Sequence, residues 1–196
     1  AKGGRMDPRM LPGIHLRTNH RFADGGTVGQ QDEDVGFDAY HGSPHEFDQF
    51  DIGKIGTGYG GQMYGHGLYF AEDENVARAY RDELSTPLGT KGQMYHVRVK
   101  ADPEHFLDWD APLSQQHPKT VEALNRAFPS AMDYWRSVDG KAGDSGNFFH
   151  RIAVKDISGD TGEGHDQVAK KFRDAGIPGI RYFDANSTPG DVTRNY

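Results

Sequence analysis

Two short segments of the sequence carry the residues with the clearest chemical use. The first is residues 39–43 (AYHGS), which we interpret as a strand that runs into His41, Gly42 and Ser43. Gly42 has no Cβ, so a flat ligand can approach its main chain closely. A carboxamide needs one donor and one acceptor side by side, and the N–H and C=O of a single residue supply both. This segment therefore predicts a binding site for an aromatic amide.

The second segment is residues 64–71 (YGHGLYFA), and Tyr80 follows eleven residues after Tyr69. One tyrosine leaves a Gly-Leu strand and the other lies on the next helix, so their rings can hold a flat ring between them. A cationic ring gains roughly 0.5–2 kcal/mol more from such aromatic faces. Plainer interpretations stay open: His41 caps a strand end, and Tyr69 and Tyr80 are core aromatics.

The elements that must position these residues follow from periodicity and capping. Residues 37–41, 94–100 and 179–183 are predicted as strands. Asp73 is suited to cap a helix. The predicted inward face of that helix is Val76, Ala77, Tyr80 and Leu84.

The middle of the chain predicts two helices and the following segment one more. The first begins near Pro118 or Thr120 and turns Phe128 inward, and the second begins after Ser145. The third runs from about His165 to Ala175, where Gly176 has the position of a C-terminal cap. Trp109 and Trp135 are interpreted as packing residues. Strands and helices mix without regular βαβ repetition, so the fold class is α+β with largely antiparallel sheets.

Length and composition set the remaining bounds. We interpret residues 1–35 as an N-terminal arm or linker, and residues 36–196 as one domain. The net charge of −7 disfavours a nucleic-acid-binding module, and the absence of cysteine excludes disulfides and thiolate metal sites. No apolar run approaches a membrane span, and no signal peptide is recognisable at the N-terminus. We expect a soluble protein.

Competing ligand sites are disfavoured on local grounds. His41 and His45 have the spacing of metal ligands on a helix, but Gly42, Ser43 and Pro44 make a helix there improbable. We therefore expect no metal site. The glycine-rich loop contains neither the Rossmann nor the P-loop pattern, which disfavours those nucleotide folds.

The combination HGS…GxGLYFA…AxxY resembles the NAD⁺ site of the ADP-ribosyltransferase superfamily, on the diphtheria-toxin and poly(ADP-ribose) polymerase branch. Residues 40–73, FLDWDAPLSQQ and AGIPGIRYFD are similar to the transferase domains of bacteriophage polyvalent proteins. The resemblance implies an ADP-ribosyltransferase-like fold, in which two small, mostly antiparallel sheets form a split core with flanking helices. It also implies that NAD⁺ is the substrate.

The resemblance implies roles for single residues. His41 would bind the ribose of the adenosine half, and Gly42 would hold the carboxamide, with Ser43 beside it. Tyr69 and Tyr80 would stack on nicotinamide. The loop from Gly53 to Gly65 would be a flap over the diphosphate and adenine. The glycines expected to contact the cofactor in and beyond this loop are Gly58 and Gly67.

The third position of the triad departs from the pattern, because Asn195 stands where relatives carry a carboxylate. An amide cannot act as a general base. Three interpretations stay open: the chain is truncated, the acceptor needs no base, or the activity is weak. Glu163 and Asp166 are the other acidic candidates. Ala77 replaces a serine that bonds nicotinamide in polymerase relatives.

These departures favour transfer of a single ADP-ribose over polymer synthesis. The expected function is mono-ADP-ribosylation of a macromolecular acceptor, a protein of a bacterial host cell, in the cytoplasm and without membrane contact. A nucleic-acid acceptor stays open. The alternatives are an NAD⁺- or ADP-ribose-binding module without chemistry, and an NAD⁺ glycohydrolase.

Overall fold

The computed structural model describes residues 14–16, 35–56, 62–141, 143–161, 163–184 and 193–196. Within them the fold contains two three-stranded sheets and five α-helices. The predicted α+β class with two small, mostly antiparallel sheets is confirmed. The predicted loop contact at Gly58 lies outside the described residues.

The first sheet has the order β1-β3-β2, with every pair antiparallel. Its strands are β1 (Ile14–Leu16), β2 (Phe37–Ser43) and β3 (Gln93–Val99). β1 belongs to the segment predicted as an arm, and it pairs with β3 along its whole length. The strand predicted over residues 94–100 is confirmed, and its inward face is formed by Val97 and Val99, which are buried, with the half-buried Tyr95.

The second sheet has the order β4-β5-β6, and its strands are β4 (Leu107–Asp108), β5 (Ile180–Phe183) and β6 (Arg194–Asn195). β4 and β5 run parallel, whereas β5 and β6 run antiparallel. β6 places Asn195 in a strand, directly opposite Tyr182 on β5.

Helix α1 (Glu74–Ser85) begins at Asp73, whose side chain accepts a hydrogen bond from Asn75 N–H, so the predicted cap is confirmed. Its inward face is different from the prediction in one respect: Ala77 is buried, but Tyr80 is 45% exposed. The tyrosine therefore does not belong to the core.

The other helices are α2 (Pro118–Ala127), α3 (Pro129–Val138), α4 (Gly146–Ser158) and α5 (His165–Ala175). α5 has the predicted bounds, and Gly176 adopts a left-handed conformation at its end, with φ of 82°. The helix predicted to begin near Pro118 ends at Ala127, and α3, which follows it, was not predicted. Phe128 is the residue between α2 and α3, and it is fully buried.

The apolar residues that the structure describes form two clusters. One is built from the four helices α2 to α5 and β4, and it includes Trp135, which is fully buried as predicted. The other lies on the first sheet around Ala39, Phe50 and Phe70. Among the described residues, no helix combines the length and the apolar character needed to cross a bilayer.

Candidate functional site

A three-residue segment, Phe70–Glu72, joins the two sheets, and we call it the seam. Ala71 exchanges two main-chain hydrogen bonds of 2.8 Å with Tyr40 on β2. On its other side the seam bonds to the β6 region, through Phe70 with Tyr196 and Glu72 with Arg194. The two sheets therefore meet along one continuous set of strands.

Register across the seam places four residues in one row: Tyr40, Ala71, Asn195 and Tyr182. Residues directly opposite each other in paired strands project from the same face of a sheet. Asn195 and Tyr182 therefore share the face on which Tyr40 lies. Tyr40 stacks there on His96, with ring centroids 4.9 Å apart.

His41 is fixed by a hydrogen bond between its Nδ1 and the main-chain oxygen of Tyr69, at 2.8 Å. A carbonyl oxygen only accepts, so Nδ1 carries the proton and Nε2 keeps a lone pair. Burial lowers the pKa of His41, and the bond to the Tyr69 carbonyl opposes this in part. The imidazole is thus neutral near pH 7.

The ring of His41 packs against aromatic side chains other than the two predicted. Its nearest ring is Phe50, with centroids 5.2 Å apart and an edge-to-face geometry. Phe70, Phe47 and Tyr95 complete its surroundings. Among the described residues, the imidazole of His41 therefore contacts Tyr69 only at its main-chain oxygen. It packs against neither the Tyr69 ring nor the Tyr80 ring.

Gly42 is enclosed on one side by helix α1. A Cβ added there would lie 2.0 Å from the Ala77 oxygen and 2.8 Å from the Arg81 nitrogen. No larger residue fits at this packing distance. Packing against α1 therefore requires a glycine at this position. This corrects the prediction that the missing side chain of Gly42 makes room for a ligand.

The main chain of Gly42 points in another direction. Main-chain groups along a strand alternate between its two sides, so those of Gly42 point the same way as those of Tyr40. In this register the residue opposite Gly42 is Tyr69, yet no backbone bond joins them within the described part of the chain. One donor and one acceptor of Gly42 thus point towards Tyr69 without a main-chain partner among the described residues, and we call this position beside Tyr69 the gap.

Tyr69 is held by its hydroxyl, which donates to the Gly65 oxygen at 2.6 Å and accepts from Tyr64 N–H at 3.3 Å. Burial, with smaller contributions from Tyr64 and Tyr80, raises the pKa of Tyr69 to about 12. Its ring meets Tyr182 edge-to-face at 6.5 Å. The hydroxyl is therefore neutral near pH 7 and serves to position the ring.

Two further tyrosines belong to the same group, and the sequence analysis did not predict them. Tyr182 stacks on Tyr64 with centroids 3.6 Å apart. Burial raises the pKa of Tyr80, and Asp184 and Tyr64 raise it further. Tyr64, Tyr69, Tyr80 and Tyr182 therefore form one tyrosine cluster, of which Tyr80 is the exposed member.

Asn195 is buried, with 3% of its surface exposed. Its Nδ2 lies 3.4 Å from Oδ1 of Asp184, which is 5% exposed. Neither Asn195 Oδ1 nor Asp184 Oδ2 has a hydrogen-bond partner within the described residues. The structure thus adds a buried carboxylate that sequence reasoning missed, since an aspartate after a strand is ordinary in a sequence.

The remaining predicted positions have simpler surroundings. Ser43 is buried, and its Oγ accepts from His45 N–H at 3.1 Å, which supports the turn after β2. Glu163 and Asp166 are exposed. Within the described residues, no group of three or more histidine or acidic side chains has the arrangement of a metal site.

A cleft of about 660 Å³ opens beside the tyrosine cluster. Tyr64, Tyr69 and Tyr182 line one side, Gly67 lies among them, and α5 lines the other side. His41, Gly42, Tyr80 and Asn195 are not part of its wall. His41, Gly42 and Asn195 lie on strands beside the seam and outside the cleft wall, and of the described site residues predicted from the sequence only Tyr69 and Gly67 line the cleft.

A buried ionic network holds β6 in place beside the site. Oδ2 of Asp108 lies 3.1 Å from Arg181 Nε and 3.0 Å from Arg194 Nη1. Oδ1 of Asp108 accepts main-chain N–H bonds from Asp110 and Ala111. Removing one partner of such a network leaves a buried charge without compensation. The network therefore fixes the position of Asn195.

No protein-family model, curated protein or solved structure matches this chain.

Proposed function

We propose that the protein is a mono-ADP-ribosyltransferase, which binds NAD⁺ and breaks its nicotinamide–ribose bond. The observation that carries this proposal is the N–H and C=O of Gly42, which face the gap beside Tyr69 and have no main-chain partner there among the residues that the structure describes. An aromatic carboxamide has the complementary acceptor and donor in one plane. Nicotinamide is therefore a suitable occupant of the gap.

The tyrosine cluster supports the same assignment. A pyridinium ring gains from contact with aromatic faces, and more so where water is excluded. The exposed Tyr80 ring and the half-buried Tyr69 ring belong to one cluster and are not stacked on each other in the described structure. A ring inserted between them would contact both.

The state of His41 suits a sugar ligand. Its Nδ1 is occupied by the Tyr69 carbonyl, so the neutral ring offers Nε2 as an acceptor. A ribose hydroxyl is a donor that fits this lone pair. His41 would thereby orient the dinucleotide while Gly42 holds the amide.

Cleavage of the nicotinamide–ribose bond does not require a general acid. When the C1′–N bond of NAD⁺ breaks, the bonding electrons neutralise the pyridinium, and nicotinamide leaves as a neutral molecule. The protein mainly has to orient the substrate, exclude water and stabilise the positive charge left on the ribose. The acceptor then forms the new bond at C1′.

The test is to incubate the protein with radiolabelled NAD⁺, with and without bacterial lysate, and to measure released nicotinamide and labelled protein. Tyr80→Ala is expected to lower nicotinamide release about tenfold or more, because a cation–aromatic contact of up to roughly 2 kcal/mol is lost. Tyr80 is exposed, so the variant should fold normally. Tyr134→Ala on α3 is the matched control, since Tyr134 is also exposed and lies outside the site.

His41→Ala is expected to lower NAD⁺ affinity, and His45→Ala, at an exposed position, should leave it unchanged. Nicotinamide release with free ADP-ribose and no labelled protein would indicate a glycohydrolase. Affinity for NAD⁺ without turnover would indicate a binding module, which the amide at Asn195 favours. Absence of both affinity and turnover would reject the proposed function.

A further inference from the structure

The most unusual polar group in the described structure is Asp184, which follows β5 directly. Its side chain is almost fully buried, and its Oδ2 has no hydrogen-bond partner among the described residues. No lysine, arginine or histidine of the described residues forms an ion pair with it. A buried carboxylate in this condition is costly, and proteins usually pair such a group.

The strand geometry places this carboxylate in the candidate site. Asp184 continues the pairing beyond the end of β5, because its N–H bonds to the Thr193 oxygen. Tyr182 and Asp184 are two residues apart, so they project from the same face. Asn195 pairs with Tyr182 across the strands and also reaches the Asp184 side chain. Asp184 therefore lies beside the tyrosine cluster. In agreement, after burial itself, Asp184 is the largest cause of the raised pKa of Tyr80.

The amide of Asn195 has a definite orientation next to Asp184. A carboxylate accepts hydrogen bonds, so the nitrogen of the amide must face Asp184 Oδ1, and the amide oxygen must face away. That oxygen is also buried and has no partner among the described residues. Two neighbouring acceptors, one of them charged, are thus left for a ligand.

Two adjacent acceptors match two adjacent donors, and the vicinal hydroxyls of a ribose are such a pair. We propose that Asp184 is a catalytic residue of this site, accepting the 2′-hydroxyl of the nicotinamide ribose, while Asn195 Oδ1 accepts the neighbouring 3′-hydroxyl. This inference rests on the proposed function. In this proposal, the carboxylate that position 195 lacks is supplied by Asp184 at the end of β5. Asn195 is the residue that holds this carboxylate in position.

The charge of Asp184 has a direct consequence for the bond-breaking step. Positive charge develops on the ribose ring as nicotinamide leaves, and an adjacent carboxylate in a water-poor site stabilises it. The same charge is unfavourable when the site is empty, because the group is desolvated and its Oδ2 has no partner among the described residues. Asp184 should therefore support catalysis and reduce stability in the absence of ligand.

The experiment compares the wild type with Asp184→Asn, which keeps the shape and removes the charge. We expect kcat for nicotinamide release to fall about 100-fold or more, by analogy with removal of one charge-stabilising group in other sites. KM is expected to change less than kcat, because the charge acts mainly in the transition state. Asp133→Asn is the control, since Asp133 is exposed on α3.

A second measurement reports the contact itself. The wild type should bind NAD⁺ more tightly than its 2′-deoxyribose analogue on the nicotinamide side, by about tenfold for one hydrogen bond. Asp184→Asn should reduce this preference. In thermal unfolding without ligand, the variant should be as stable as the wild type or more stable, which separates a functional loss from misfolding.

The outcomes separate the two proposals. A wild type that neither binds nor cleaves NAD⁺ overturns both of them. A wild type that cleaves NAD⁺, together with an Asp184→Asn variant of equal kcat and unchanged preference for the 2′-hydroxyl, overturns only the role of Asp184. An unfolded Asp184→Asn chain would also contradict it, because the charge would then be needed for the fold.

Discussion

Gly42 meets two demands at the scale of a single residue. Its Cα lies so close to α1 that a methyl group would overlap the Ala77 carbonyl. Its main chain at the same time faces the gap beside Tyr69. A sequence reader sees only that a glycine follows a histidine, and both explanations fit. The distance to the helix decides which one accounts for the missing side chain.

Gly42→Ala should therefore destabilise the protein, because α1 has to move away from β2. Overpacking of this kind typically costs about 1–3 kcal/mol, and the lost fit against backbone atoms suggests the upper part of that range. The free energy of unfolding in urea measures the effect. Gly67→Ala is the control for stability, since a Cβ at Gly67 would have no atom within 4 Å. Equal stability of both variants would contradict the packing argument.

Residue-scale reasoning found His41 and Tyr69 as neighbours but missed Tyr64, Tyr182 and Asp184. His41 and Tyr69 are joined by the hydrogen bond between the imidazole and the Tyr69 oxygen. Each lies beside a feature that the sequence shows, a strand end for His41 and a glycine-rich segment for Tyr69. The other three come together only through the pairing of β5 with β6 and the stacking of Tyr182 on Tyr64. Tyr64 and Tyr182 are more than a hundred positions apart in the sequence, and a contact over that separation leaves no local pattern.

Among the elements, α1 and α5 show where local rules suffice. Asp73 and Gly176 satisfy main-chain groups that any helix end leaves open, so their chemistry is visible in the sequence. α3 shows where the rules are incomplete. Its start at Pro129 follows α2 after a single residue, Phe128, and the apolar periodicity continues across the break. Pro129 is the one signal that would have located it.

Asp73→Ala should weaken α1 by about 0.5–2 kcal/mol, because the N–H of Asn75 loses its acceptor. Amide hydrogen exchange should become faster in the first turn of α1, and unfolding in urea should begin at a lower concentration. Asp73→Ser keeps an oxygen acceptor at the cap and should retain most of the stability. If the alanine and serine variants behave alike, the cap does not contribute as proposed.

At the scale of the molecule, the described residues form two apolar clusters, and His150 lies against the one built from α2 to α5. Its ring is 3% exposed and packs against Trp109, Phe172 and His165. Burial, followed by the neighbouring His165, lowers its pKa to about 4. The folded protein therefore keeps this imidazole neutral at a pH where the unfolded chain would protonate it.

Stability should consequently be greatest above pH 6.5 and should fall as the pH decreases from 6.5 towards 4, since the unfolded state then binds more protons. A shift of this size corresponds to about 3 kcal/mol over that window. His41 contributes with the same sign. Urea unfolding at several pH values measures the slope, which His150→Phe should reduce.

His45→Gln is the control for this slope, because His45 is exposed. An unchanged pH dependence in His150→Phe, with the fold intact, would show that other groups are responsible. The burial of His150 was not predicted from the sequence. A histidine in a helix shows its burial only when the residues packed against it are known, and here these are Trp109 and two residues of α5.

The seam also has a consequence for how the protein is made. Glu72 and Arg194, which bond across it, are separated by 122 positions. During synthesis the first sheet can therefore form while the edge at Ala71 still lacks its partner strand, and Asp184 and Asn195 meet only afterwards. A chain arrested before Arg194 lacks β6, and it should therefore also lack the pairing with β5 that brings Asn195 next to Asp184.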